Sequence, residues 1–242
     1  MKPMPTTAMV LAAGLGLRMR PLTLELPKPL VKVAGKTLLD WTLDMAAASG
    51  VAKAVINVHH LGDKIIAHTA KRQRPATLIS DESEHLLDTG GGIVKALPLL
   101  GDAPFLVFNG DGILIDGETP MLRRLTGAWD PDQLDVLMLV HARESAQGFA
   151  GAGDFFVSGD GRLHRRGTAS SAPFVYAGAY IMHPRILAGE KPAPFSMNRV
   201  WDKAIAAGRM AALVHDGAWF HVGTPEAVGH TELLLGRMAA AR

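Results

Sequence analysis

Short apolar runs alternate with amphipathic segments along the first 142 residues. Apolar, β-branched runs predict buried strands at 8–13, 54–59, 77–80, 104–108 and 136–141. The amphipathic segments between them predict helices at 38–49, 62–74, 91–97 and 121–129. Strands and helices that alternate in this way form a mostly parallel sheet with helices on both faces. The pattern therefore predicts a doubly wound α/β fold.

The pattern changes after about residue 142, where glycine and short β-like pieces replace the long helices. Two short strands, predicted at 154–158 and 162–166, flank Gly159-Asp160-Gly161, which predicts a hairpin turn. The remaining predicted strands and helices lie at 174–182, 198–207, 211–215 and 225–238. Because no linker or repeat interrupts the chain, we predict a single domain over residues 1–242 that includes a small β-rich region.

The charge balance and the missing cysteines limit the classes of function. Lys and Arg total 25 against 23 for Asp and Glu, and there is no long basic run with interleaved aromatic residues, so nucleic acid is not an expected partner. The absence of cysteine excludes disulfides and thiolate chemistry and fits a reducing compartment. The first five residues, which include two prolines, match neither a signal peptide nor a membrane span. We therefore expect a cytoplasmic protein without a membrane partner.

A glycine-rich segment after the first predicted strand carries the strongest indication of chemistry. It runs LAAGLGLRMRPLT and is followed three residues later by PKPL. Gly14 and Gly16 would let the backbone approach a ligand closely. Arg18 and Lys28 would neutralise a bound phosphate chain. A dinucleotide fingerprint would need a third glycine where Met19 stands, so an anion-binding turn and a simple turn with solvated cations remain as interpretations.

This segment resembles the signature of the sugar-1-phosphate nucleotidyltransferases, L-A-A-G-x-G-x-R-x-x-P-x-T followed by P-K-P, at every position. The resemblance extends over nearly the whole chain and implies a Rossmann-like, glycosyltransferase-A-like nucleotidyltransferase fold. It implies that Ala13, Gly14 and Gly16 lie along a nucleoside triphosphate, that Arg18 contacts the leaving pyrophosphate and that Lys28 contacts the reacting phosphates. Transfer of the nucleoside monophosphate group needs positioning and charge neutralisation but no side-chain nucleophile, because a sugar phosphate oxygen attacks the α-phosphorus directly.

Two later motifs fit the same interpretation. In the run Asp-Thr-Gly-Gly-Gly, the resemblance implies that Gly90 and Gly91 lie nearest to the nucleobase, where a flexible loop is the alternative. Asn109 and Asp111 follow a buried apolar strand directly, where ligands bind in open α/β sheets. The resemblance makes Asn109 part of the nucleotide site and Asp111 a metal ligand. A turn or a helix cap is the alternative for Asp111.

The family's second metal ligand is replaced in this sequence. Residues 219–225 resemble the family motif W-x-D-x-G-T, but His221 stands at the aspartate position. Mg²⁺ prefers oxygen ligands, whereas imidazole suits Mn²⁺, Zn²⁺ and other transition ions. Three interpretations follow: Mg²⁺ held by Asp111, water and substrate phosphates; a site shifted toward a transition ion; or a weakened enzyme. We adopt the first, with Mn²⁺ as the alternative ion.

The resemblance assigns residues 1–142 to the nucleotide and residues 143–242 to the sugar. Gly153 and Gly178 are the candidate sugar-side residues, because glycine lets backbone amides approach hydroxyl groups, although two strand bulges explain them equally well. The run LDTGGGIVKALPLLGDAPFLVFNGD is most similar to uridylyltransferases of cell-wall recycling that act on N-acetylmuramate 1-phosphate. The expected substrates are therefore UTP and N-acetylmuramate 1-phosphate.

Other functions remain open from the sequence. Mannose-1-phosphate guanylyltransferases share nearly all of the phosphate-binding motifs. A non-catalytic nucleotide-sugar-binding module is an alternative of another class, because the second metal acid is lost. An NAD-binding oxidoreductase fits the glycine spacing poorly. The sequence shows no added β-helix or oligomerisation region, so we expect a minimal family member that is a monomer or a small homo-oligomer.

Overall fold

The computed structural model describes residues 5–240, so most of the segment for which we predict no signal peptide lies outside the described residues. The strands are β1 Thr7–Leu11, β2 Lys32–Val33, β3 Lys36–Thr37, β4 Lys53–Val58, β5 Ala76–Asp81, β6 Phe105–Asn109, β7 Gly112–Ile115, β8 Val136–Ala142, β9 Phe155–Val157, β10 Leu163–Arg165, β11 Phe174–Met182, β12 Met210–Val214 and β13 Ala218–His221. The helices are α1 Leu38–Ala48, α2 Gly62–Thr69, α3 Asp88–Leu100, α4 Met121–Ala128, α5 Asn198–Ala206 and α6 Pro225–Ala240.

A nine-stranded sheet forms the centre of the molecule. Strands β6, β1, β4 and β5 lie side by side and are all parallel. β11 continues the sheet beyond β6 in the antiparallel direction and also pairs with β8, which in turn pairs with β12 in parallel. The short strands β9 and β10 extend the same edge. The predicted α/β class and mostly parallel sheet are confirmed, and strands from both sides of residue 142 share one sheet.

Helices cover both faces of this sheet. Successive residues of each central strand point to opposite sides, so each strand contributes side chains to the layers on both faces. On one face, Val10 packs in a buried cluster with Leu43 of α1 and Leu125 of α4. On the other face, Met9 belongs to a second buried cluster with Ile93 of α3 and Val200 of α5. Burial on both faces explains why these strands read as continuous apolar runs. Among residues 5–240, no helix has the length and apolar character to cross a bilayer.

The structure differs from the sequence prediction at several elements. Helix α2 ends at Thr69 rather than at residue 74, because Arg72 turns back to α1 and pairs with Asp40 and Asp44. The sequence pattern also misses two small ribbons, in which β2 pairs with β3 and β7 pairs with β13. Each of these strands has two to four residues, which is too short to show an alternating pattern.

The carboxylate of Asp135 links three segments next to β8, β11 and β12. Asp135, just before β8, is only 9% exposed. Its oxygens accept hydrogen bonds from Arg185 Nε at 2.6 Å and from Arg209 Nε at 2.9 Å, so it links the segments that follow β11 and precede β12. Burial would raise the pKa of Asp135, but the hydrogen bonds and charges of the two arginines outweigh it and leave the pKa below its ordinary value.

We expect Asp135→Asn to lower the free energy of unfolding at pH 7 by about 2 kcal/mol, because two charge-assisted hydrogen bonds are lost. A lowered pKa in the folded state stabilises the protein above the ordinary aspartate pKa of about 3.9, and this stabilisation is lost as the pH falls through the folded-state value. The difference between wild type and variant should therefore shrink below about pH 4. Urea unfolding at pH 7 and below about pH 4 measures this difference in unfolding free energy. The exposed Asp102→Asn is the control. A difference independent of pH would contradict this account.

Candidate active site

The carboxyl ends of the parallel strands β6, β1, β4 and β5 border an open cavity, which we call the loop cavity. Ligands bind at this edge of open α/β sheets. The cavity encloses about 520 Å³ and is lined by Leu11, Ala12, Ala13, Gly14, Gly16, Leu17, Arg18, Met19, Lys28, Pro29, Asn57, Glu82, Leu86, Asp88, Thr89, Asn109, Gly110, Asp111 and Gly223. The structure thus brings together seven of the residues predicted from the sequence, namely Ala13, Gly14, Gly16, Arg18, Lys28, Asn109 and Asp111.

The loop after β1 offers unpaired backbone donors. None of the described residues accepts a hydrogen bond from the backbone N–H groups of residues 13–16. Gly16 is left-handed, with φ 61°, and its carbonyl accepts a 2.8 Å hydrogen bond from the Thr23 hydroxyl, which fixes the turn. Successive N–H groups in such a turn suit the oxygens of a phosphate chain.

A buried chain of hydrogen bonds holds this loop to the sheet. Asn57, at the end of β4, accepts a 2.7 Å hydrogen bond from the N–H of Ala12 and donates one of 2.7 Å to Glu82, just beyond β5. The other oxygen of Glu82 accepts from the N–H of Leu87, immediately before α3, at 3.0 Å. Glu82 is fully buried. The ends of three strands and the start of α3 are therefore tied through two polar side chains.

Lys28 and Asp111 form an ion pair where the loop meets the end of β6. Lys28 Nζ lies 2.8 Å from Asp111 Oδ2, and the lysine side chain is only 10% exposed. Burial would raise the pKa of Asp111, but the charge and hydrogen bond of Lys28 and the nearby His221 and Arg18 outweigh it, so the pKa is lower than usual. Arg18 is exposed and lines the cavity. The site therefore holds an ionised carboxylate that is paired with Lys28 and influenced by the charge of Arg18.

Strand pairing brings His221 to the same place. β13 pairs with β7 so that His221 lies opposite Gly112, the residue after Asp111. The imidazole packs against the rings of Phe149 and Trp219, whose centroids lie 6.2 and 5.8 Å away. The replacement of aspartate by histidine in the sequence motif therefore changes a side chain that borders Asp111.

The electrostatics of His221 decide what it can bind. Burial lowers the pKa of the imidazole; Asp111 opposes this shift, and Lys28 and Arg18 add to it. The ring is thus neutral near pH 7 and has a nitrogen lone pair available for a cation. No group of three or more His, Asp or Glu side chains in residues 5–240 is placed to hold a metal ion. One carboxylate and one imidazole fit a divalent ion if substrate oxygens complete its coordination.

A second cavity of about 240 Å³, the inner cavity, adjoins the first and shares Arg18, Asn109 and Asp111 with it. Its other lining residues are Trp41, Thr42, Met45, Phe108, Gly112, Leu114, Phe149, Asp154, Val175, Tyr176, Ala177, Gly178, Trp219 and His221. The Tyr176 hydroxyl donates to Asn109 Oδ1 at 3.3 Å, and Asp154 Oδ2 accepts from the N–H of Tyr176 at 3.0 Å. Aromatic faces together with a few placed polar groups are typical of a site for a small polar ligand.

The glycines predicted to lie at the nucleobase occupy a different position. They belong to the first turn of α3 rather than to a loop, and neither lines a described cavity. The N–H groups of Gly90 and Gly91 donate to the carbonyl of Phe195, at 2.8 and 3.3 Å. A Cβ on Gly90 would meet the Phe195 ring at 2.1 Å, and one on Gly91 the Ala193 carbonyl at 2.1 Å. The lack of a side chain at these glycines therefore lets Phe195 and Ala193 pack closely against α3. Leu86, Asp88 and Thr89 line the cavity instead.

The two glycines predicted on the sugar side differ in position. Gly178, with φ 84°, lies at the register shift of β11 between Tyr176 and Tyr180 and lines the inner cavity beside Asn109. Gly153 also has φ 84°, but a Cβ there would lie 2.1 Å from the Ala172 carbonyl, so its backbone packs against protein. Its neighbour Asp154 reaches the cavity instead.

Several residues that line the two cavities are not predicted from the sequence. Asn57 lies near the end of the strand predicted at 54–59, and Glu82 follows the strand predicted at 77–80, so their position at the sheet edge was a usable signal. Trp41 and Phe149 carry no such signal, because they reach the inner cavity only through the packing of α1 and of the loop after β8.

The comparisons with known proteins agree with this geometry. A family profile described as "MobA-like NTP transferase domain" matches residues 8–151. The N-acetylmuramate alpha-1-phosphate uridylyltransferase of Caulobacter vibrioides is 43% identical and covers 92% of this chain and 94% of its own. The enzyme of the same name from Neisseria meningitidis is 31% identical over 95% and 98%. The inositol-1-phosphate CTP transferase structure from T. maritima superposes with a TM-score of 0.77, 18% identity and 97% coverage of both chains.

The edge of the doubly wound sheet thus carries a loop with unpaired N–H groups, two cations and a strand-end carboxylate, which are the features that a nucleotidyl transfer needs. With the profile match and the similarity to the Caulobacter enzyme, the chain belongs to the MobA-like NTP transferase family and is a nucleotidyltransferase.

Gly92 provides a test of the buried hydrogen-bond chain. A Cβ at this position would lie 2.6 Å from Glu82 Oε1 and 2.9 Å from Asn57 Nδ2, so Gly92→Ala must displace one of them. We expect a loss of about 2 kcal/mol of unfolding free energy, because a buried polar group loses its partner.

Gly127→Ala is the matched control, because Gly127 also lies in a helix but a Cβ there would meet nothing within 4 Å. This change should stabilise the protein by about 0.5 to 1 kcal/mol. Urea unfolding of both variants measures the difference. Equal effects of the two substitutions would show that the Glu82–Asn57 pair tolerates displacement.

Proposed function

We propose that this enzyme transfers UMP from UTP to N-acetylmuramate 1-phosphate and releases pyrophosphate. The observation that carries the proposal is the junction of two cavities at Asn109 and Asp111, one with an anion-binding loop and one with an aromatic and carboxylate lining. The two uridylyltransferase relatives, whose chains are matched over more than nine tenths of their length, support the choice of both substrates.

The reaction needs two phosphate-bearing substrates in line. An oxygen of the sugar 1-phosphate forms a bond to the α-phosphorus of UTP, and the bond from that phosphorus to the bridging oxygen of the β-phosphate breaks. The loop N–H groups at residues 13–16 and the exposed Arg18 would hold the triphosphate and stabilise the leaving pyrophosphate. Lys28 would neutralise charge on the α-phosphate once a ligand competes for its contact with Asp111.

A divalent metal ion is generally used in this family. In our proposal Asp111, joined by the neutral His221, would hold Mg²⁺, with water and substrate phosphates as its other ligands, and the ion would supply charge neutralisation. Mn²⁺ is the alternative, because it accepts an imidazole ligand more readily.

The proposal divides one domain between the substrates, with residues up to about 142 for the nucleotide and residues 143–242 for the sugar. Gly178, Asp154 and Tyr176, which line the inner cavity, are on the sugar side. We place the reaction in the cytoplasm, where nucleoside triphosphates are made, as a step of cell-wall recycling.

Pyrophosphate release tests the function directly. The purified chain is assayed with each of four nucleoside triphosphates, crossed with the 1-phosphates of N-acetylmuramate, N-acetylglucosamine, glucose and mannose, in Mg²⁺ and in Mn²⁺. We expect the fastest release with UTP and N-acetylmuramate 1-phosphate. Preference for GTP with mannose 1-phosphate would instead establish a guanylyltransferase. Nucleotide binding without release in any combination would show a non-catalytic module.

Arg18→Ala should lower kcat by about 100- to 1,000-fold, because one preorganised charge contact to the transition state is removed. Arg20→Ala is the matched control, since Arg20 is also exposed, lies two residues away and lines none of the described cavities. Steady-state kinetics with saturating UTP, together with circular dichroism to show that both variants are folded, give the comparison. Similar kcat values for the two variants would remove Arg18 from the proposed site.

A further inference from the structure

A third cavity lies beyond the inner cavity, between β9–β11 and the start of α5. We call it the arginine cavity; it encloses about 330 Å³. Asn109, Asp154 and Tyr176 line both this cavity and the inner cavity. A ligand held beside Asn109 can therefore extend a substituent into it.

Arg165 is the cation of this cavity. Its guanidinium lies over the rings of Phe155 and Trp201, 4.9 and 5.8 Å from their centroids. Nε donates to Asp202 at 2.8 Å and Nη2 donates to the carbonyl of Asn198 at 3.2 Å. These contacts fix the orientation of the group and leave Nη1 without a protein partner among the described residues.

Two further donors in the same lining are buried and unpaired. The Tyr180 hydroxyl and the Trp201 indole N–H have no hydrogen-bond partner in the part of the chain that the structure describes. Tyr180 is fully buried and Trp201 is 8% exposed. Unsatisfied buried donors are costly and rare in native proteins, so they call for an acceptor. The fixed guanidinium of Arg165, with Nη1 unpaired, suits an anionic ligand group such as a carboxylate.

Two carboxylates lie near Arg165, namely Asp202 and Asp154. Asp202 is 60% exposed, so water screens its pairing with Arg165. Asp154 already accepts a hydrogen bond from the N–H of Tyr176. Asp154 lines both the inner cavity and the arginine cavity.

We propose that the arginine cavity recognises the carboxylate of the acceptor sugar, with Arg165 as the specificity-determining residue. This inference rests on the proposed function. N-acetylmuramate differs from N-acetylglucosamine by a lactyl ether on its 3-hydroxyl, and that ether carries the only carboxylate of the sugar. A cation next to the sugar-side residues selects for this group and has no partner on N-acetylglucosamine.

The test is the ratio of kcat/KM for N-acetylmuramate 1-phosphate to kcat/KM for N-acetylglucosamine 1-phosphate. Arg165→Gln keeps most of the side-chain length but removes the charge, and should lower this ratio about 10- to 100-fold with the KM for UTP unchanged. Arg165→Lys keeps the charge and should lose less. If N-acetylglucosamine 1-phosphate reacts too slowly, its inhibition constant against the muramate substrate replaces its kcat/KM.

Arg199→Ala is the control, because Arg199 lies on α5 outside the cavity lining and should leave the ratio unchanged. A wild-type ratio retained in Arg165→Gln overturns this inference alone. An equal fall of kcat/KM for both sugars, with a lower melting temperature, also overturns it, because Arg165 would then act only in folding. A wild-type enzyme without preference for the muramate substrate overturns both this inference and the proposed acceptor.

Discussion

The buried contact between Asn57 and Glu82 is the constraint on which the site depends. A carboxylate with no solvent exposure is tolerated only when its oxygens are hydrogen-bonded, and here Asn57 and the N–H of Leu87 supply the donors. Asn57 in turn holds the N–H of Ala12. This arrangement sets the start of the loop after β1 against the end of β4. The loop can then leave its next N–H groups free for a ligand, because its first one is anchored.

Charge is distributed so that the site attracts phosphate and keeps one carboxylate ionised. Lys28 is nearly buried and paired, whereas Arg18 is exposed and unconstrained by a partner among the described residues. Both cations lower the pKa of Asp111, and both contribute to the neutral state of His221. A neutral imidazole in place of a second carboxylate leaves the site more positive before any metal ion binds. In a complex with a divalent cation, the substrate phosphates would therefore neutralise more of the positive charge than they would beside two carboxylates.

Asn109 is the point at which the three cavities meet. It ends β6, whose neighbours are the parallel β1 on one side and the antiparallel β11 on the other. Asn109 therefore lies where the parallel strands give way to β11, whose residues line the other two cavities. Pairing of β11 with β6 ends at Ala179 and Phe108, and the left-handed Gly178 lies beside Asn109, where both residues line the inner cavity. In the proposed reaction, the acceptor sugar occupies the inner cavity and the nucleotide occupies the loop cavity.

The sequence by itself determined the strands of the large sheet, the helices α1–α6 to within a few residues, and the glycine-rich loop with Lys28 and Asp111 as candidate site residues. It could do so because these features depend on local apolar periodicity and on glycines and charges close together in the chain. Tertiary structure decided the rest. The pairing of β7 with β13 places His221 beside Asp111, and the packing of Phe195 and Ala193 against the first turn of α3 requires glycine at positions 90 and 91. Arg165 meets Asn109, Tyr180 and Trp201 around one cavity only because β9–β11 and α5 fold together, and no local pattern records a contact between such distant segments.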